Sequence, residues 1–172
     1  MEEFRKQIII SFMSKAKEST NLRDGLGKVP KVSEIISDSL GLIQCFIAFE
    51  SFTTGEFNKA TAKDNQVEFC SKYKDDIEKI YLSISNEIDK MYNELQNNPL
   101  KDMSRRRVPL NFPNKKDFER LFEILYRVRG NIIHGNKEME LPRNILLINS
   151  SFKILYGIFS NILINKENIS FS

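Results

Sequence analysis

The chain has 172 residues, 41 % of them apolar and 28 % charged, which are ordinary proportions for a soluble globular protein and predict one domain spanning residues 1–172. No apolar run approaches the roughly 20 residues that cross a bilayer, and the N-terminal segment lacks the features of a secretory signal, so we expect a cytoplasmic protein without membrane contact. The net charge of +3 says little about partners. Two cysteines and one histidine are too few for a convincing zinc site. We therefore expect reduced thiols and no metal or other cofactor.

Periodic apolar residues predict the first three helices. The first covers residues 2–19. The second runs from Ser33 to about Thr54, with an apolar stripe formed by Ile36, Leu40, Ile43 and Ile47 and with Phe46, Phe49 and Phe52 alongside it. A polar break follows. Residues 66–97 then show the most regular amphipathic pattern in the chain, which predicts one long third helix ending at the sequence NNPL.

A basic segment follows the third helix. The sequence KDMSRRRVPLNFPNKK, residues 101–116, has six lysines and arginines and one acidic residue. Arg105, Arg106 and Arg107 at its centre predict contact with an RNA backbone. A solvated loop explains the same composition, and composition alone favours that simpler interpretation.

Two more helices complete the prediction. The fourth begins with Asn114 as its N-cap and Asp117 at its third helical position, and it ends at the dipeptide His134–Gly135, because glycine suits the residue that closes a helix. The fifth covers residues 142–165 and is apolar on most sides, which predicts burial at the centre of the fold or in a subunit interface. The chain is therefore predicted to be all-α, a compact bundle of about five helices.

The only histidine of the chain, His134, lies in the sequence RVRGNIIHGNK, residues 127–137. Arg129 precedes it with four residues between, and Arg127 with six. A histidine at a helix C-terminus has a purely structural explanation, since its partial positive charge suits the helix dipole there. The spacing nevertheless forms the pattern Arg-x-Asn-x-x-His-Gly near the end of an amphipathic helix.

This pattern resembles the signature of the HEPN superfamily, whose small helical domains include many metal-independent endoribonucleases. The resemblance covers about a dozen residues and the helical layout. Gly130 departs from it, because a polar residue is usual directly after the arginine and Asn131 comes one position later. Position 136 is asparagine, so the branch of toxins with tyrosine there is not indicated.

The resemblance implies RNA cleavage by the 2′-hydroxyl, with His134 moving protons, Arg129 stabilising the charged phosphorane and Asn131 orienting the histidine or binding phosphate. Arg127 and Lys137 are expected to bind RNA beside them. Because one histidine serves poorly as both acid and base, the resemblance further implies a homodimer with a composite site. It also suggests a role as a toxin or in anti-phage defence, with an antitoxin or other regulatory partner.

Helix geometry leaves the identity of the catalytic arginine open. Arg127 and His134 are seven residues apart and share a helix face, whereas Arg129 and His134 are about 140° apart on an ideal helix. We take Arg129 as catalytic because it completes the pattern. Two other functions stay open: a noncatalytic module that binds RNA, nucleotide or protein, and a structural domain in which His134 only ends a helix.

Overall fold

The computed structural model describes residues 3–25, 31–101, 109–133 and 141–171. Within them are six α-helices and one pair of two-residue antiparallel strands, so the predicted all-α fold is confirmed. In chain order the elements are α1 (Glu3–Gly25), α2 (Lys31–Phe57), α3 (Ala62–Lys72), α4 (Lys74–Asn97), β1 (Leu100–Lys101), β2 (Pro109–Leu110), α5 (Phe118–Ile133) and α6 (Pro142–Asn165).

The sixth helix arises because the predicted third helix is divided at Tyr73. The Thr61 side chain accepts a hydrogen bond from the Asp64 backbone N–H and starts α3. At Tyr73 the backbone takes φ −106° and ψ 17°, so the helix is interrupted there. The ring of Tyr73 is 3 % exposed and packs 5.0 Å from the ring of Phe69. Burial of this aromatic ring accompanies the change of helix direction, and the regular apolar pattern of α4 begins only after it.

The helix ends differ from several predictions, and α3, for example, begins at Ala62 and not at residue 66. Both α1 and α2 extend beyond their predicted bounds. At the start of α5, Asp117 and not Asn114 acts as the cap, because its carboxylate accepts the backbone N–H of Arg120 at 2.9 Å. Asn114 instead accepts the N–H of Lys116 in the preceding turn. The predicted bounds of the last helix, Pro142–Asn165, are confirmed.

An aromatic cluster joins four helices at the centre of the fold. The ring of Phe49 on α2 lies 4.9 Å from Phe69 of α3, 5.3 Å from Phe122 of α5 and 5.4 Å from Phe159 of α6. All four rings are fully buried. Since burial of one such ring stabilises a fold by roughly 1.5–3 kcal/mol, this cluster fixes the position of α5 against α2.

The predicted apolar stripe of α2 is not its buried face. The residues that α2 buries are Leu42, Cys45, Phe46, Phe49 and Phe52, whereas Ile36 and Leu40 are 53 % and 51 % exposed. The helix is apolar on two sides, and periodicity alone does not decide between them. The larger phenylalanine rings fill the core, and the smaller aliphatic side chains lie outside it.

The last helix lies at the centre of the fold, which is one of the two predicted alternatives. It packs against both α2 and α4, and Gly41 of α2 allows a close approach, because a Cβ atom there would lie 2.5 Å from the ring of Phe152. In the described part of the chain, α6 is the one helix long and apolar enough to cross a membrane. Because 56 % of its apolar segment is buried inside the fold, packing in the core accounts for its composition.

Candidate functional site

Helix α5 carries the described part of the motif. Its apolar face, with Leu121, Leu125 and Val128, packs into the core and holds the helix in place. Arg127, Arg129 and Asn131 lie in its last two turns, and α5 ends at Ile133, the residue before His134. The other predicted site residues lie outside the described residues: His134, Lys137, Arg105, Arg106 and Arg107.

Arg129 forms a two-fold hydrogen-bonded ion pair with Glu50 of α2. Its Nη1 atom lies 3.2 Å from Oε1 of Glu50, and its Nη2 atom lies 3.3 Å from Oε2. The arginine and glutamate side chains are 19 % and 29 % exposed, respectively. This arrangement uses two of the five N–H groups of the guanidinium and fixes its plane.

Two aromatic rings also hold the guanidinium of Arg129. Its Cζ atom lies 5.7 Å from the centroid of Phe46 and 5.5 Å from that of Tyr126, within the range of cation–π attraction. Burial raises the pKa of Glu50, and the positive charge of Arg129 opposes that rise. The Nε atom of Arg129 is buried without a hydrogen-bond partner. The side chain is therefore fixed and partly covered, and its charge is opposed by an adjacent carboxylate.

The structure places Asn131 on a different side of α5 from Arg129. Asn131 lines a shallow groove between α5 and α6, with Asn144, Leu147 and Ile148 among the other lining residues. Arg129 instead faces α2. Arg127 shares the side of Asn131, because residues four positions apart lie on one helix face. The described residues thus form two neighbouring groups on α5, Arg129 on the side of α2 and Asn131 with Arg127 on the other.

The strand pair on either side of residues 102–108 adjoins the Asn131 groove. Leu100 pairs with Leu110 and Lys101 with Pro109 in an antiparallel register, and Leu100 also lines the groove. Arg143 of α6 fixes the approach to β1: it donates to the carbonyl oxygen of Asn98, and its Nε atom lies 3.0 Å from Oε1 of Glu94. The strand pair that flanks residues 102–108 therefore meets the groove at Leu100.

Sequence reasoning missed Glu50, the partner of Arg129. One signal was available, since Glu50 is the only charged residue of the chain between Asp38 and Glu56. A single carboxylate in an apolar helix needs a partner if it is partly buried. The sequence does not say which cation that partner is, because the two residues are 79 positions apart.

A second cleft of about 160 Å³ opens at the beginning of α5, between α3 and α5. Arg120 and Glu123 line it and form an ion pair at 2.6 Å. Arg120 precedes Arg129 by nine residues, about 13 Å along the helix, so this cleft is separate from the motif. Among the described residues, no group of three or more histidine, cysteine, aspartate or glutamate side chains is arranged to hold a metal ion.

Comparison with known proteins gives no match. No protein-family model fits the sequence, no curated protein is significantly similar to it, and no solved structure significantly matches its fold.

Proposed function

We propose that this domain is a metal-independent endoribonuclease of the HEPN type. The observation that carries the proposal is a rigidly held arginine, Arg129, in the penultimate turn of the helix that leads directly into the only histidine of the chain. A fixed guanidinium is suited to stabilise a negatively charged phosphorane, because it stays charged at every working pH and needs no reorganisation. The all-α fold agrees with the helical layout of that superfamily.

The proposed reaction needs no external nucleophile. His134 removes the proton of the RNA 2′-hydroxyl, whose oxygen attacks the adjacent phosphorus atom as the bond to the 5′-oxygen breaks. The products are a 2′,3′-cyclic phosphate and a 5′-hydroxyl. Arg129 binds the equatorial oxygens, while Asn131 and Arg127 bind phosphate from the neighbouring side of α5. Arg105, Arg106, Arg107 and Lys137 hold the RNA backbone.

A second histidine is proposed to come from a second copy of the chain. One imidazole would have to accept the 2′-hydroxyl proton and also protonate the leaving oxygen, whereas two copies divide these tasks. A homodimer with a two-fold axis brings one His134 from each copy to the same site. A cytoplasmic toxin or anti-phage nuclease of this kind would need an antitoxin or another regulator to protect the host.

The Glu50 pair favours one alternative function. A carboxylate that already occupies two N–H groups of Arg129 competes with phosphate for the same cation. If RNA does not displace Glu50, the domain is a noncatalytic module that binds RNA through its basic segment. Such a module would retain RNA with a strong dependence on salt and leave it uncut.

The test is cleavage of mixed RNA by the purified protein in EDTA, with analysis of the fragment ends. We expect cyclic phosphate ends from the unmodified chain and their loss in His134→Ala and Arg129→Ala. Arg120→Ala is the matched control, because Arg120 lies on the same helix but lines the separate cleft. RNA that is bound but uncut would support the noncatalytic alternative, and RNA that is neither bound nor cut would contradict both.

A further inference from the structure

An apolar strip lies uncovered along α2. It consists of the α2 stripe, Ile36, Leu40, Ile43 and Ile47, of which the first two are more than half exposed and the other two half-buried. Tyr126 and Ile133 of α5, 38 % and 49 % exposed, extend this apolar surface toward the motif. Apolar side chains left exposed along one helix face mark an interaction site on a soluble domain.

The charge of this surface identifies the type of partner. Asp38 is buried and accepts a hydrogen bond from Asn149, so it does not contribute to the outer face. Glu50, the next charged residue of α2, is paired with Arg129. The stripe is therefore electrically neutral, which gives no attraction for a nucleic acid and no repulsion against an identical surface. An apolar helix is the occupant that fits.

The spacing of the stripe matches a second copy of itself. Its residues are separated by four, three and four positions, and this order reads the same in both directions. An antiparallel α2 helix from another copy would place Ile36 against Ile47 and Leu40 against Ile43. One two-fold axis relates both pairs, as an isologous dimer requires.

We propose that a second copy of this chain docks on the α2 stripe, with the two α2 helices antiparallel about a two-fold axis between Leu40 and Ile43. This assigns the surface that forms the homodimer of the proposed function, and its relevance to catalysis rests on that function.

The course of α5 connects this axis to the motif. Phe122 of α5 contacts Phe49 of α2, Tyr126 contacts Phe46, and Arg129 contacts Phe46 and Glu50, so the C-terminal half of α5 lies beside residues 46–50 of α2. Phe46, beside Arg129, is only four to five residues from the centre of the stripe, about 7 Å along α2. The two copies of the motif would then lie on both sides of the axis, and each would supply part of the site.

The first test is sedimentation velocity of the full chain at micromolar concentrations. We expect a dimer for the unmodified protein and at least about a tenfold weaker association for Leu40→Lys, because the change places an unpaired charge in the apolar contact. Leu82→Lys is the matched control: Leu82 is an 84 % exposed leucine on α4, and its change should leave association unaltered. Melting curves by circular dichroism check that both variants fold.

The second test examines the antiparallel register. In the double variant Leu40→Cys/Ile43→Cys, diamide should oxidise paired thiols to disulfides and produce a covalent dimer on a non-reducing gel. The native thiols do not compete, since Cys45 and Cys70 are buried and burial raises the pKa of Cys70 to about 12. The control variant Leu82→Cys should form no covalent dimer under the same treatment.

The results separate this proposal from the proposed nuclease. A monomeric protein, or a dimer unaffected by Leu40→Lys, overturns the interface whether or not RNA is cut. A dimer that Leu40→Lys dissociates and that leaves RNA intact supports the interface and contradicts the nuclease. If the protein cuts RNA, dissociation by Leu40→Lys should reduce cleavage in proportion to the loss of dimer.

Discussion

The guanidinium of Arg129 and the carboxylate of Glu50 connect α5 to α2 by two hydrogen bonds of 3.2 and 3.3 Å. The pair holds the arginine in one orientation and also balances its charge. A phosphate group that binds Arg129 must either share the cation with Glu50 or replace it. The relation between these two side chains therefore influences both the stability and the chemistry of the domain.

The strength of this pair can be measured with a double-mutant cycle. We expect Glu50→Ala to lower the free energy of unfolding by about 1–3 kcal/mol, because it leaves a largely buried guanidinium without its partner. The coupling between Glu50→Ala and Arg129→Ala should be about 1 kcal/mol. Urea unfolding of the two single variants and the double variant gives both values.

A surface ion pair provides the control for this cycle. Lys59 and Glu68 lie 3.0 Å apart, with side chains 44 % and 46 % exposed. Their coupling should be below about 0.5 kcal/mol, since water screens exposed pairs. Equal coupling energies for the two pairs would mean that burial does not strengthen the Arg129–Glu50 contact.

Kinetics can distinguish the roles of the two arginines. We expect Arg129→Lys to reduce kcat by about 100-fold or more with little change in RNA affinity, because lysine keeps the charge but loses the planar pair of donors. Arg127→Ala should weaken RNA binding. It should also reduce the slope of log affinity against log salt concentration by about one. Single-turnover cleavage and binding at several salt concentrations separate these effects. Loss of cleavage in Arg127→Ala with full activity in Arg129→Lys would reverse the assignment.

Two glycines should respond in opposite ways to the same substitution. Gly41→Ala should lower the free energy of unfolding by about 1–3 kcal/mol, since the new Cβ would lie 2.5–2.9 Å from three ring atoms of the buried Phe152. Gly130→Ala meets nothing within 4 Å and should stabilise α5 by about 0.5–1 kcal/mol. Thermal and urea unfolding measure both changes. A destabilised Gly130→Ala would indicate that the α5 backbone departs from a regular helix there.

Glu87 should make the fold sensitive to acid. Burial acts to raise its pKa, but hydrogen bonds from Lys90 and Ser150 and the charge of Lys153 outweigh burial and lower it. A lowered pKa in the folded state contributes stability above the ordinary glutamate pKa, and that contribution is lost as the pH falls through the folded value. We therefore expect the free energy of unfolding to fall below about pH 4.5, and to fall less steeply in Glu87→Gln. Identical pH profiles for the two proteins would contradict this role.

The sequence best predicted those helices that have a single apolar face. In α4 and α5 the apolar residues occupy a single stripe, and the structure buries that stripe. In α2 two apolar faces compete, and side-chain volume decides which one enters the core. The interruption at Tyr73 accompanies the packing of its ring against Phe69, and the local sequence pattern does not predict that contact. Periodicity therefore predicts helices better than it predicts which side of a helix is buried.

The candidate site was predictable in part for a similar reason. The spacing of Arg129, Asn131 and His134 can be read from one segment, and it places the candidate site at the end of α5. The contact of Arg129 with Glu50 joins two distant segments and depends on how α2 and α5 cross. The separation of Arg129 from Asn131 follows from the helix itself, because residues two positions apart point about 160° from each other.

The strand pair of Leu100–Lys101 with Pro109–Leu110 has a consequence for how this domain can change over evolution. The two ends of residues 102–108 are fixed to each other by the scaffold, and doubling the length of such a connection costs only about 0.6 kcal/mol of closure entropy. Changes in the length of this connection therefore cost the fold little closure entropy. The length of this connection can thus vary among descendants of the domain while the helices stay the same.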